Sequence, residues 1–216
     1  MDKRRQGFFD NQKRLTSILL GTLLALVAAM AGHPAYCQGQ EPEASYRNRS
    51  ISQWIAALQT GDARSRAEAA YALGQIGAKA VRAVPMLVGV AEKDSDNFVR
   101  SEAVLALGTM GAPARSAMPS VIQLLKNDPI AGVRGAAATA LGGISSDSGR
   151  LVPVLVAVLR GDKSAYVRGC AALALGRLEA GAQEALPQLR EAALNDPSPV
   201  VRRRADEAIQ RIEIVR

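Results

Sequence analysis

A single histidine, two cysteines and a small aromatic fraction set the first limits on this chain. His33 is the only imidazole in 216 residues, which removes histidine-based catalytic triads and histidine-rich metal sites. Cys37 and Cys170 are too few for a disulfide framework and too distant in sequence for a zinc knuckle. Glycine forms no phosphate-binding loop pattern; its clearest column, Gly74, Gly108, Gly142 and Gly176, keeps a regular spacing. No catalytic, metal-binding or cofactor-binding residue is therefore expected, and the chain reads as a non-enzyme. Aromatic residues make up 4% against 48% hydrophobic residues, so the core must come from Ala, Leu, Val and Ile, which suit closely stacked helices. Concentrated positive charge is also lacking. Of the formal +7, +3 belongs to the first 31 residues, and the remaining +4 is spread over both signs. That distribution, with few aromatics for base stacking, argues against nucleic-acid binding.

What the chain has in abundance is repetition. Phe98-Val99-Arg100, Ala103 and Ala106-Leu107-Gly108 return 34 residues later as Val133-Arg134, Ala137 and Ala140-Leu141-Gly142. They return again as Val167-Arg168, Ala171 and Ala174-Leu175-Gly176, and earlier as Ser65-Arg66, Ala69 and Ala72-Leu73-Gly74. Pro85, Pro119, Pro153 and Pro187 keep the same period. A fixed period of this length signals stacked repeats, each burying its apolar face only against its neighbours.

Taken in order, the chain opens on a basic segment ending at Lys13-Arg14, followed by an uncharged apolar run over 15–31. Ala29-Met30-Ala31 offers a small-x-small cleavage pattern, so residues 1–31 read as a signal peptide or, if uncleaved, as a membrane anchor. Both place the repeats outside the cytosol, in the periplasm or extracellular space. Residues 32–49 are polar and aperiodic and read as a flexible linker. Tyr36 before Cys37 argues against lipidation there.

Ser50 precedes Ile51, Trp54, Ile55 and Leu58, one face of a helix. Residues 50–60 form a half-repeat cap with Trp54 as a core residue. Full repeats are expected at about 61–94, 95–128, 129–162 and 163–196, followed by a half-repeat cap at 197–216, all within a domain of 50–216. In each repeat the first helix carries a buried stripe such as Val99, Ala103, Ala106, Leu107 and Met110. A Gly within that helix costs about 1 kcal/mol relative to Ala, so its recurrence calls for a geometric reason, and close helix approach supplies one. Gly77 and Gly111 read as helix stops. The recurring Pro falls in the first turn of the second helix. Asp206 and Glu207 replace residues that are mostly apolar in the earlier repeats, as a capping unit requires. Cys170 shares its column with Glu68, Glu102, Ala136 and Arg204, which predicts an exposed position.

The pattern D-x5-R-x2-A-x2-A-L-G-x-[IM]-G followed by A-V-P-x-L resembles the HEAT repeats, in the short form known from phycobiliprotein lyase subunits. The tetratricopeptide repeat shares the 34-residue period, but it should place Ala at the positions held by Met86, Ser120, Val154 and Gln188. The resemblance implies an all-α fold, a right-handed superhelical α-solenoid of antiparallel helix pairs. It also implies a polar ladder of Arg66, Arg100, Arg134, Arg168 and Arg202 with Asp94, Asp128, Asp162 and Asp196. It places the second helices on an inner surface that binds a protein partner, with Met86, Gln123, Lys126, Arg160, Arg190 and Glu191 as candidate partner-binding residues. Joint substitution of Gln123, Lys126 and Arg160 is then expected to abolish partner capture. The function implied is an exported protein–protein scaffold with an unidentified partner. The alternative is an enzyme accessory subunit of the phycobilin lyase type, with nucleic-acid binding behind both.

Overall fold

A computed structural model describes residues 43–144 and 148–214; the expected signal or anchor segment, Cys37 and most of the linker lie outside them. The unit that begins at Ala44 is a stack of antiparallel helix pairs, an all-α solenoid. It opens with a short hairpin in which β1 (Ser45–Tyr46) pairs antiparallel with β2 (Arg49–Ser50). Arg47 and Asn48 form the turn with positive φ values of 49° and 60°, as a two-residue hairpin turn requires. The linker expected over 32–49 is thus corrected at its end, since an ordered hairpin occupies its last residues. Local bonding explains the order. The Trp54 indole donates to the Tyr46 carbonyl at 3.1 Å, Arg49 lies 4.9 Å from the Trp54 ring, and Tyr46 meets Tyr71 edge to face at 6.2 Å.

Helix α1 (Ile51–Thr60) starts at a reciprocal cap. The Gln53 amide donates to Ser50 Oγ, and the Ser50 amide donates to Gln53 Oε1 at 2.8 Å. Its face of Ile51, Trp54 and Leu58 is buried. The pairs that follow are α2 (Ala63–Ile76) with α3 (Val84–Lys93), α4 (Asn97–Met110) with α5 (Met118–Asn127), and α6 (Ala131–Ile144) with α7 (Ser148–Gly161). Then come α8 (Ala165–Arg177) with α9 (Leu186–Asn195), and α10 (Pro199–Ile214). Asp62 and Asp96 cap α2 and α4 by accepting backbone amides. Gly77 and Gly111 end those helices with φ of 67° and 70°, conformations that disfavour any residue with a Cβ. Short 3-10 stretches then lead into α3, α5 and α9, where Pro85, Pro119 and Pro187 occupy the first turn. Unit 129–162 differs, because α7 is one continuous helix with Pro153 inside it.

The first helices (α2, α4, α6, α8, α10) form one layer and α1, α3, α5, α7 and α9 the other. Val99, Ala103, Ala106, Leu107 and Met110 are all buried, as are Leu87, Val121, Leu125, Leu155 and Leu189 opposite them. The repeated Gly sets the spacing in the first layer. A Cβ added at Gly74 would lie 2.9 Å from the Ala106 Cα, at Gly108 2.6 Å from the Ala140 Cα, and at Gly176 2.9 Å from the Ala208 Cα. Backbones therefore touch from one first helix to the next. Neighbouring second helices, separated by longer side chains, approach only sparingly.

Candidate protein-binding faces

The Arg and Asp columns meet along one edge of the stack. Arg66 donates from Nε and Nη2 to both carboxylate oxygens of Asp94, at 2.7 and 2.8 Å. The same fork joins Arg100 to Asp128, Arg134 to Asp162 and Arg168 to Asp196. Each carboxylate also accepts a backbone amide two residues on, from Asp96, Ile130, Ser164 or Ser198. Nη1 of Arg100 reaches back to the Asp94 carbonyl and Nη1 of Arg134 to that of Asp128. One guanidinium thus ties its own turn to the next. Arg202 donates to the carbonyls of Asp196 and Pro197 and has no carboxylate partner among the described residues. Bonding with Arg66 and Arg168 holds the Asp94 and Asp196 carboxyls below their ordinary range. At Asp162 burial opposes ionisation, and the bonds from Arg134 and the Ser164 amide outweigh it. With four Arg engaged on their planar edge by protein carboxylates, the ladder is a structural seam, not an anion site.

The six expected partner-binding residues all fall on second helices. Met86 is half-buried and lies 3.8 Å from the Gln59 amide nitrogen. Gln123 accepts from Asn127 within its own helix, Lys126 is exposed, and Arg190 pairs with Glu213. Arg160 and Glu191 line a small cleft of about 280 Å³ between α7 and α9, together with Gln188. No element brings the six together. The first helices approach one another more closely than the second helices do.

The first-helix layer also carries aromatic side chains exposed to solvent. Tyr71 on α2, Phe98 on α4 and Tyr166 on α8 are 45%, 60% and 52% accessible. Tyr166 lies across the space left by Gly135, where an added Cβ would run into its ring. Between α2 and α4 lies a pocket of about 630 Å³ lined by Ala63, Ala67, Tyr71, Phe98, Arg64 and Glu102, with Arg47, Glu68 and Asp96 completing it. Arg47 is held at 3.1 Å from Glu68 and 5.5 Å from the Tyr46 ring. Cys170, expected on an exposed surface, is buried at 4% accessibility. Its column stays open at Glu68 but closes here, because Arg204 of the next first helix reaches to 3.9 Å from the Cys170 sulfur.

The signal for this face was present in the sequence. Phe98 and Tyr166 share a column with Arg64, Gly132 and Val200, and an aromatic in so variable a column marks a surface position. Among the described residues no cluster of metal-ligating side chains occurs, and no helix is long and apolar enough to cross a membrane.

Comparison with known proteins agrees with this architecture. Residues 51–118 and 118–210 match the family model of HEAT repeats. No curated protein sequence matches the chain. Among solved structures, it is similar to the complex of CpcE and CpcF of phycocyanin lyase from Nostoc sp. PCC7120. The TM-score is 0.60 at 23% identity, over 73% of this chain and 96% of that one. At that identity the likeness is one of fold.

Proposed function

Because the chain belongs to the HEAT-repeat family, we propose that it is a non-enzymatic scaffold whose first-helix layer binds another protein. The observation that carries this reading is the exposure of Tyr71, Phe98 and Tyr166 on the first-helix layer, the more closely packed of the two. Exposed rings on a rigid helical surface are the anchors from which interface hot spots are built. The second layer offers charged and amide side chains with no ring among the six expected residues. Export is part of the proposal and rests on the basic flank, apolar run and small-x-small site of residues 1–31. A second reading, an accessory subunit of an enzyme, is supported by the likeness to a phycocyanin lyase complex. Copurification with an enzyme subunit or a chromophore-loaded protein would favour it.

The test is affinity capture from an envelope fraction with the full chain. Tyr71→Ala/Phe98→Ala/Tyr166→Ala should weaken capture at least about thirtyfold, the effect of losing one hot spot of about 2 kcal/mol. Gln123→Ala/Lys126→Ala/Arg160→Ala should retain it, and circular dichroism should show both variants folded. The opposite pattern would move the binding face to the second helices.

A further inference from the structure

The pocket between α2 and α4 has a chemistry more specific than an apolar patch. Its floor is Ala63 and Ala67, and the rings of Tyr71 and Phe98 line it. Five charged side chains border it, and three of them are engaged. Arg47 and Glu68 form an ion pair. Asp96 accepts the amides of Phe98 and Val99 at the start of α4. Arg64 is exposed and makes no ion pair among the described residues. Glu102 is half-buried, and among the described residues no cation or hydrogen-bond donor meets it. Burial alone pushes its carboxyl above the ordinary value of 4.5. An anion so placed lacks the compensation that partly buried charges normally find.

We propose that this pocket receives a lysine or arginine side chain from the partner protein, its charge met by Glu102 and its stem lying against Tyr71 and Phe98. The inference rests on the first-helix face being the binding face. A long basic side chain fits both halves of the lining. Its methylenes cover apolar surface while the charged end reaches a polar group, and a cation near Tyr or Phe rings gains from their negative faces. An acidic side chain would meet the half-buried Glu102 with like charge, and of the two arginines bordering the pocket Arg47 is already paired and Arg64 is held in solvent.

The experiment uses the full chain, labelled with nitrogen-15, and two peptides. One is acetyl-Gly-Leu-Lys-Leu-Gly-amide, and the other carries norleucine in place of lysine. The lysine peptide should shift amide signals around Tyr71, Phe98 and Glu102 and bind about tenfold more tightly than the norleucine peptide. Glu102→Gln should bring the two peptides to equal affinity. Equal affinity for the wild type, no binding, or shifts confined elsewhere would overturn the proposal. So would concentration-dependent shifts of these signals without peptide, which would place a second copy in the pocket. The underlying reading fails separately. If the triple aromatic variant loses partner capture while Glu102→Gln and the peptide exchange change nothing, the face stands and the basic occupant falls.

Discussion

The two helix layers solve the same packing problem with opposite materials. In the first layer Gly and Ala bring backbones into contact, so Gly108 and Ala140 meet with no room for a methyl group. In the second layer Leu87, Val121, Leu125 and Leu155 fill a wider gap with side chains. The first layer is therefore intolerant at its seam and free to vary on its outward columns. The second is tolerant of volume and is begun by Pro in three of its four paired helices. The lesson is that exposure and conservatism of packing are decoupled here: the layer with the strictest core carries the most exposed rings.

That contrast can be broken most severely at the ladder that edges the first layer. Arg134→Ala leaves Asp162 without its guanidinium and removes the donor to the carbonyls of Asp128 and Pro129. The residue is 5% exposed, and unpairing a buried charge costs about 3–5 kcal/mol. A denaturant midpoint within error of the wild type would show that the seam stands without its rungs.

The same mutation made in both layers sharpens the comparison. Gly108→Ala forces a Cβ to 2.6 Å from the Ala140 Cα and should destabilise by about 2 kcal/mol despite the better helix propensity of Ala. Gly89→Ala in α3 meets nothing within 4 Å and should stabilise by about 0.5–1 kcal/mol. Thermal unfolding distinguishes them by sign. Equal signs would dissolve the distinction between the layers.

Acid should act on the ladder more gently. Asp94, Asp162 and Asp196 are held below the ordinary carboxyl value of 3.8 in the folded protein. In the unfolded chain they take up protons first as pH falls. Their contribution is complete above that value and is lost as pH drops toward the folded ones. The melting temperature should thus be flat near neutrality and fall below about pH 4, and Arg134→Ala should flatten the acid limb.

Much of the fold could be read from columns. The Arg and Asp columns repeat with the period, and the spacing that recurs in sequence recurs in space, so pairing followed once helices stacked. The Gly column likewise announced close approach. What it does not announce by itself is which layer presents rings to solvent, because the outward columns vary from unit to unit. The resemblance points to second-helix residues such as Arg160 and Glu191, whereas the exposure of Tyr71 and Phe98 emerges only from the fold. The hairpin is not legible in the sequence because its strands are two residues each and its order comes from single contacts of Tyr46 with Trp54 and Tyr71. The column of Cys170 holds Glu68 and Glu102 and so suggests exposure, whereas its burial depends on the reach of Arg204 from the next helix.

The seam of touching backbones has a mechanical consequence. In a bent beam, length is conserved along one line and strain grows with distance from it. Contact at Gly74, Gly108 and Gly176 cannot shorten and is held against lengthening by the adjacent guanidinium forks, so the line of constant length runs through the first helices. Any flexing of the array should then open and close the second helices like the pages of a book about its spine. Tyr71, Phe98 and Tyr166 stand on the helices of that spine, so their mutual distances should change least.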